Sequence, residues 1–201
     1  MIDAYRFEEN RYLTVLGIDP ALRNFGFALA KVDVVENKIV EIKDLILVKT
    51  HQTKDTKQRR NSADLQSAKT LTSAVRKLTE QAFCSFAEVP IGSQSARAMA
   101  SYGICIGILS GSNNEIFEVT PTEVKKRATG LRTATKEEMI NWAVTKFPDA
   151  PWLKRKVKGQ VVLKNENEHL ADAVGAINAG LHNTAWLELR GALLYVTYGK
   201  R

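Results

Sequence analysis

The sequence is poor in cysteine and has no long apolar run. Its only two cysteines, Cys84 and Cys105, lie among apolar residues and form no metal-ligand spacing. This excludes a disulfide framework and a cysteine-based zinc site, and it predicts two buried, reduced thiols. No stretch reaches the roughly 18 apolar residues of a membrane span, and the first residues, MIDAYRFEENRY, contain no signal-peptide core. We therefore expect a cytoplasmic protein with no membrane partner, of bacterial, viral or organellar origin.

Internal repeats, low-complexity tracts and clear domain linkers are also missing. The chain has 201 residues, which is enough for one domain with a proper core, and its hydrophobic content of 44% is ordinary for a globular protein. We predict one domain over residues 13–189, an N-terminal extension over 1–12 and a C-terminal tail over 190–201. The tail has a strand-like pattern from Gly191 onward.

Positive charge is abundant and unevenly distributed. The net charge is +7 and the isoelectric point is near 9.4. The segment from Thr122 to Lys164 holds eleven Lys or Arg and four acids, so its excess of seven equals that of the whole chain. Such a concentration predicts a polyanionic partner, most simply nucleic acid, although a solvated basic face has the same composition.

The rest of the chain is organised around the stretch Leu13 to Ala30. An apolar run ends at Asp19-Pro20, and a second apolar run follows from Phe25 after a few turn-like residues. This pattern predicts a strand, a tight turn and an antiparallel return strand. A carboxylate at the end of a buried strand is costly unless a cation compensates it, although Asp before Pro also simply starts turns.

The remaining segments predict a mixed α/β fold in the order β-β-β-α-β-α-β-α-α. Capping boxes with Thr120 and Thr135 open two of the helices, and Ala96, Ala100, Gly103 and Gly107 are expected to let another pack closely on the sheet. Further strands are predicted over Lys38–Val48, Cys84–Val89 and Glu115–Val119, a loop over Lys49–Ser62, a loop or hairpin over Pro151–Asn165, and helices over Ala63–Phe83, Ser93–Ser110, Pro121–Gly130, Thr135–Lys146 and Asn167–Leu189.

Three carboxylates occupy positions where charge is unexpected. Asp19 ends the first predicted strand, Glu88 ends the fourth, and Asp172 lies in an otherwise apolar helix. If the first and fourth strands are neighbours, Asp19 and Glu88 meet at one sheet edge. Clustered carboxylates need protons or cations, and oxygen-rich clusters suit Mg²⁺ or Mn²⁺. Two such ions a few ångströms apart activate water and stabilise the leaving oxygen in phosphodiester hydrolysis.

Glu168 and His169 are both candidates to complete this metal site. On a helix, each lies on the same side as Asp172. The position of Glu168 also has an explanation without a metal, because a negative charge stabilises a helix N-terminus. His169 has an equally ordinary alternative as a surface histidine.

Four segments carry motifs in a fixed order. They are Leu16-Gly17-Ile18-Asp19-Pro20 with Arg23 and Gly26; Glu88-Val89 and the helix with Gly103 and Gly107; Pro121, Val124-Lys125, Gly130, Ala134 and Lys136; and Ala171-Asp172-Ala173. Together they resemble the RuvC family of Holliday-junction resolvases, in the ribonuclease H-like superfamily. The resemblance runs from Leu13 to His182, which is most of the chain.

The resemblance implies a mixed five-stranded sheet flanked by helices, and a homodimer that nicks a four-way DNA junction symmetrically. By position, it assigns metal binding to Asp19, Glu88, His169 and Asp172. It places Lys125 near the scissile phosphate, where an ammonium offsets transition-state charge. Lys136 matches a DNA-backbone lysine, and we predict further DNA contacts from the neighbouring Lys126 and Arg132.

Three departures from the family pattern stand out. Ala21 follows Asp19-Pro20 where the family usually has Gly. Ile91 stands where members often carry an aromatic residue that wedges into the junction, so any wedge here is aliphatic. The segment from Pro151 to Glu168 is longer and more basic than usual, which predicts added DNA contacts or a different substrate choice.

Three other functions remain open at the level of sequence. A DNA-binding module without catalysis is disfavoured because all four metal-ligand positions hold competent ligands. A ribonuclease H acting on RNA–DNA hybrids would use the same metals and the same fold. An actin-like ATPase also has a strand ending in Gly-x-Asp, but this chain is short for its two lobes and has no second nucleotide motif.

Overall fold

A five-stranded mixed β-sheet forms the centre of the fold. The computed structural model describes residues 11–50 and 59–198. The sheet has the order β3-β2-β1-β4-β5, with β1 (Tyr12–Asp19), β2 (Asn24–Asp33), β3 (Lys38–Lys49), β4 (Cys84–Glu88) and β5 (Ile116–Val119). β1, β2 and β3 form an antiparallel meander, whereas β4 is parallel to β1 and β5 is parallel to β4. The predicted fold class is thereby confirmed.

Helices connect the parallel strands and cover both faces of the sheet. Parallel strands need long crossovers, which α1 and α2 supply. The helices are α1 (Arg60–Thr79), α2 (Ala96–Leu109), α3 (Pro121–Thr129), α4 (Lys136–Lys146), α5 (Asn167–Gly180) and α6 (Thr184–Tyr198). A separate two-stranded ribbon, β6 (Lys154–Val157) and β7 (Gln160–Leu163), lies between α4 and α5. None of the helices in these described ranges is long and apolar enough to cross a membrane.

Residue alternation along β1 sends apolar side chains into two cores. Leu13 and Val15 belong to the core beneath α3, α4, α5 and α6. Leu16 and Ile18 belong to the core beneath α1 and α2. The sheet is therefore buried on both faces, as expected for a strand rich in Leu, Ile and Val throughout its length.

Both predicted capping boxes are present. The Thr120 side chain accepts from the backbone N–H of Glu123, whose carboxylate accepts in return from the N–H of Thr120, and Thr135 and Glu138 do the same at the start of α4. Gly130 follows α3 with φ of 82°, a left-handed conformation that glycine adopts without strain. These local signals explain why α3 and α4 begin and end where the sequence predicts.

The C-terminal part of the chain differs from the prediction. The helix predicted over 167–189 is two helices, because the chain turns after Gly180 and Asn183 caps α6 by accepting from the N–H groups of Ala185 and Trp186. The strand-like pattern predicted from Gly191 is wrong for the described residues, which continue α6 to Tyr198. Residues 1–10, most of the predicted N-terminal extension, and 51–58 of the predicted loop lie outside the described residues.

The small residues of α2 do not pack on the sheet. Ala96, Ala100, Gly103 and Gly107 are all exposed, so the predicted close packing is wrong. The opposite face of α2 is buried instead, through its apolar residues Cys105, Ile108 and Leu109. Large apolar side chains fill the space between α2 and the sheet, which leaves the small residues on the solvent side.

Candidate active site

Two carboxylates end neighbouring strands at one edge of the sheet. Asp19 is the last residue of β1, and Glu88 is the last residue of β4. The strands are parallel, with Ile18 opposite Ala87, so the two acids follow side by side. The condition stated from the sequence, that the first and fourth strands are neighbours, is met.

Helix α5 lies directly on the sheet close to this edge. A Cβ atom added to Gly26 of β2 would lie 2.2 Å from the carbonyl oxygen of His169, and one added to Gly17 of β1 would lie 2.0 Å from that of Ala173. Only glycine permits such a close approach of the two backbones. Because His169 and Asp172 are three residues apart, α5 brings both to the side where β1 ends.

His169 is hydrogen-bonded to the first carboxylate. Its Nδ1 lies 2.7 Å from Oδ2 of Asp19, and both side chains are mostly buried. Burial lowers the pKa of His169, but the hydrogen bond to Asp19 and the charges of Asp19, Glu168 and Asp172 outweigh it and raise the pKa above its usual value. The imidazole therefore holds positive charge among the carboxylates more readily than a free histidine would.

The carboxylates themselves are difficult to ionise together. Burial, followed by repulsion from Asp19 and Asp172, raises the pKa of Glu88 to about 8. Burial and the charge of Asp19 raise the pKa of Asp172 to about 7. Burial also raises the pKa of Asp19, against the opposing hydrogen bond from His169. The three groups form one electrostatically coupled cluster in which burial and mutual repulsion outweigh the nearby positive charges.

The donor set of this cluster fits a divalent cation of the Mg²⁺ type. Three carboxylates and one imidazole are suitable ligands, and a cation would relieve their mutual repulsion. As arranged, no group of three or more His, Cys, Asp or Glu side chains within residues 11–50 and 59–198 is positioned to hold a metal ion. His169 and Asp19 are bonded to each other instead.

Two of the predicted lysines lie near the cluster. Lys125, half-buried in α3, is close enough for its charge to lower the pKa of both Glu88 and Asp172. Lys136, at the start of α4, pairs with Glu168 at 2.8 Å and keeps a side chain that is 76% exposed. Its charge opposes the rise in the pKa of Asp19 that burial causes. Two positively charged ammonium groups therefore lie next to the carboxylate cluster.

The other predicted DNA contacts, Lys126, Arg132 and Ile91, are all exposed. Lys126 lines a separate cleft with Arg127 and His182, and Arg132 is exposed in the turn between α3 and α4. Ile91 is 76% exposed in the loop after β4. An isoleucine this exposed contributes nothing to the core, and its loop begins three residues earlier at Glu88.

Glu168 has a role that the sequence left undecided. Its carboxylate accepts from Nζ of Lys136 and lies 3.4 Å from Nε2 of His169. The side chains of Lys136, Glu168, His169 and Asp19 therefore form one continuous chain of polar contacts. The helical spacing indicated only that Glu168 and Asp172 share a face, and the contact with Lys136 depends on the packing of α4 on α5.

A buried carboxylate outside the cluster fixes the segments that follow the two strands. Asp64 of α1 is 4% exposed and accepts from Arg23, in the turn after β1, and from both terminal nitrogens of Arg97, in α2. The hydrogen bond from Arg97 lowers the pKa of Asp64 more than burial raises it. Sequence reasoning missed this network because its members are 33 and 41 residues apart.

Replacing Gly26 by Ala is expected to destabilise the protein by about 3 kcal/mol, a fall in Tm of roughly 6–12 °C. The added methyl group would overlap the backbone of His169 and push α5 away from β2. Calorimetry measures the loss, and NMR titration of His169 would show its pKa returning toward that of free histidine. Gly191→Ala is the matched control, because a Cβ there meets nothing within 4 Å. An unchanged Tm in Gly26→Ala would contradict the close approach.

No family model and no curated protein matches the sequence. Solved structures do match it. T. thermophilus RuvC in complex with a Holliday junction substrate aligns with a TM-score of 0.60 and 19% identity, over 88% of this chain and 96% of that chain. The yeast mitochondrial Holliday junction resolvase Ydc2 aligns with a TM-score of 0.53 and 13% identity, over 99% and 89%. The chain therefore has the ribonuclease H-like fold of RuvC-type Holliday junction resolvases.

Proposed function

We propose that this protein is a structure-selective endonuclease that resolves four-way DNA junctions by hydrolysing phosphodiester bonds. The observation that carries the proposal is the convergence of Asp19, Glu88, His169 and Asp172 on one sheet edge. Raised pKa values and a specific charge partner are typical of functional sites. The fold shared with RuvC, whose solved complex contains a Holliday junction, supports the choice of substrate.

In the proposed mechanism these four side chains would hold Mg²⁺, for which Mn²⁺ would substitute. Divalent ions at such a site supply water activation and stabilisation of the leaving oxygen. Lys125 is near enough to Glu88 and Asp172 to offset the negative charge that builds up on the phosphate in the transition state. The Asp19–His169 hydrogen bond orients the imidazole and couples α5 to the end of β1.

The residues outside the cluster would hold the DNA. Lys126 on α3, Lys136 on α4 and Arg132 in the turn between them are exposed, so they can reach the DNA backbone. Ile91 is exposed in the loop after β4 and would fill the space between unstacked bases at the branch point, in place of an aromatic wedge. If Ile91 is substituted to test this role, the matched control is a substitution of another exposed apolar residue, such as Val196 on α6.

The test uses a labelled four-way junction, a plain duplex and an RNA–DNA hybrid, each incubated with Mg²⁺ and with EDTA. Symmetric nicks in the junction alone, lost with EDTA, are the expected result. Tight junction binding with no cutting in Mg²⁺ or Mn²⁺ would favour a binding module over an enzyme. Cutting of the hybrid instead would keep the metal site and overturn the substrate.

Symmetric nicking requires two active sites, and we propose that a second copy of this chain binds to the exposed face of α2. Met99 and Ile106 are about half exposed there, beside the small residues Gly103 and Gly107. Small residues let two helices approach closely, and the exposed apolar side chains around them would be buried by the partner. The loop carrying Ile91 leads into this helix, so the proposed interface adjoins the site.

Ile106→Glu is expected to convert a dimer into a monomer, because it would bury a charge without a partner. Light scattering measures the mass, and the junction assay should show single nicks in place of paired ones. Val196→Glu alters an equally apolar exposed residue on α6 and should leave the dimer intact. A dimer that survives Ile106→Glu would contradict the proposed interface.

A further inference from the structure

The ribbon formed by β6 and β7 is exposed along most of its length. Residues 154–161 are exposed, and only the two residues that end β7 are half-buried. Its strands pair from Lys154 opposite Leu163 to Val157 opposite Gln160. Lys158 and Gly159 form the tip with φ of 48° and 83°, the left-handed pair that a tight two-residue hairpin turn requires. The ribbon is therefore a regular hairpin that leaves the body of the protein.

Its charge is of one sign. The sequence between Asp149 and Glu166 contains no acidic residue, and it holds five cations: Lys154, Arg155, Lys156, Lys158 and Lys164. Within the described ranges, no ion pair involves the four cations of the ribbon. Unneutralised charge concentrated on an exposed two-stranded element attracts a polyanion.

The base of the ribbon is fixed to the helix that carries the active-site residues. Asn167, fully buried at the start of α5, donates from Nδ2 to the carbonyl of Leu153 and accepts at Oδ1 from the Leu153 N–H, both at 2.9 Å. The N–H of Lys164 donates to the same carbonyl. Because His169 follows Asn167 by two residues, the ribbon and the cluster are held in one rigid frame.

We infer that this ribbon is a DNA-binding arm that contacts the phosphate backbone of the duplex next to the cleaved strand. Four residues per strand give it a length of about 13 Å, and a two-stranded ribbon fits the major groove of DNA. The cations on the ribbon then lie against phosphates, and the exposed Val161, which pairs with Lys156, lies on the face that carries Lys154 and Lys156. The inference rests on the proposed function only in taking DNA as the substrate.

The choice of DNA over an acidic protein follows from the attachment of the ribbon to the start of α5. An arm fixed two residues from His169 positions whatever it binds relative to the carboxylate cluster. A phosphate backbone presents evenly spaced negative charges along a line, which suits the row of three consecutive cations in β6, Lys154, Arg155 and Lys156. An acidic protein surface gives no reason for this placement.

The test compares the variant Lys156→Gln/Lys158→Gln with wild-type protein in equilibrium binding to a four-way junction and to a blunt duplex. EDTA is present, so that no cleavage occurs. We expect roughly tenfold weaker binding to both DNAs, and a slope of log affinity against log salt that is smaller by about 2, because two phosphate contacts are lost. The matched control is Lys38→Gln/Lys77→Gln, two exposed lysines near the opposite edge of the sheet, where β1 and β4 begin. The control should bind as wild type does.

Equal affinity and equal salt slope in the ribbon variant and the wild type would overturn the inference, and so would an equal loss in the control variant. This outcome is distinguishable from failure of the proposed function. A wild type that binds duplex and junction equally and cuts neither would contradict the resolvase proposal, while a reduced salt slope in the ribbon variant on the duplex would still support the arm.

Discussion

Cleavage of a four-way junction by the Asp19→Asn variant is expected to fall by roughly a thousand-fold or more, with affinity for the junction close to that of wild type. An amide has the shape of the carboxylate but none of its charge, so it cannot hold a divalent cation equally well. Losing several kcal/mol of transition-state stabilisation corresponds to a rate loss of this order. Single-turnover cleavage and equilibrium binding measure the two quantities separately.

The fold of this variant should persist. The amide side chain that replaces the carboxylate keeps an oxygen that accepts a hydrogen bond from Nδ1 of His169, so the contact between β1 and α5 survives. Asp149→Asn is the matched control, since Asp149 is exposed outside the cluster, and its cleavage rate should equal that of wild type. Full nuclease activity in Asp19→Asn would contradict the proposal that Asp19 belongs to the active site. Loss of junction binding together with cleavage would assign Asp19 to the fold rather than to the chemistry.

The sequence predicted the sheet because its signals are local. The apolar run that ends at Asp19 sets β1, and the capping boxes at Thr120 and Thr135 set α3 and α4. The adjacency of Asp19 and Glu88 was only a condition at the level of sequence, because the crossover from β3 to β4 does not show that β4 lies beside β1. The proposal that Asp172 belongs to the site came from the presence of a charge in an otherwise apolar helix.

What the sequence could not predict depends on contacts between distant elements. Nothing in the local pattern of Asp64 shows that it pairs with both Arg23 and Arg97. The small residues of α2 were predicted to pack on the sheet, but small residues occur on exposed helix faces as well. The buried positions of Ile108 and Leu109 show which face of α2 lies against the sheet. The apolar run after Gly191 has no period that separates strand from helix, and the cap at Asn183 determines the outcome.

Glu88→Gln is expected to raise the stability of the metal-free protein at pH 8.5. Glu88 has an ordinary pKa near 4.5 and a pKa of about 8 in the folded state, so between these values the folded protein binds more protons than the unfolded chain. Stability therefore falls as the pH rises through this window, and it is lowest above pH 8. A glutamine carries no charge, so the variant does not lose this stability as the pH rises. We expect a gain of about 2 kcal/mol, or roughly 4–8 °C in Tm.

The pH dependence separates this effect from a change in packing. At pH 4.5 the wild-type carboxyl is neutral in the folded state, so the two proteins should melt within about 2 °C of each other. The raised pKa values of Asp19 and Asp172 act in the same direction, so the variant keeps part of the slope. Glu41→Gln, an exposed glutamate in β3, serves as the control and should follow the wild type at both pH values. A gain that is equal at pH 4.5 and pH 8.5 would point to packing instead.

Adding Mg²⁺ should reverse the order of the two proteins at pH 8.5. A cation bound by the carboxylates removes their repulsion and stabilises the folded state in proportion to its binding. The wild type offers three carboxylates and the variant two. Mg²⁺ should therefore raise the Tm of the wild type much more than it raises the Tm of Glu88→Gln. The experiment needs no DNA and no cleavage, so it tests the metal site independently of the substrate. If Mg²⁺ and Mn²⁺ leave the wild-type melting curve unchanged at millimolar concentration, the cluster is not a metal site. The repulsion among Asp19, Glu88 and Asp172 would then be relieved by protons alone.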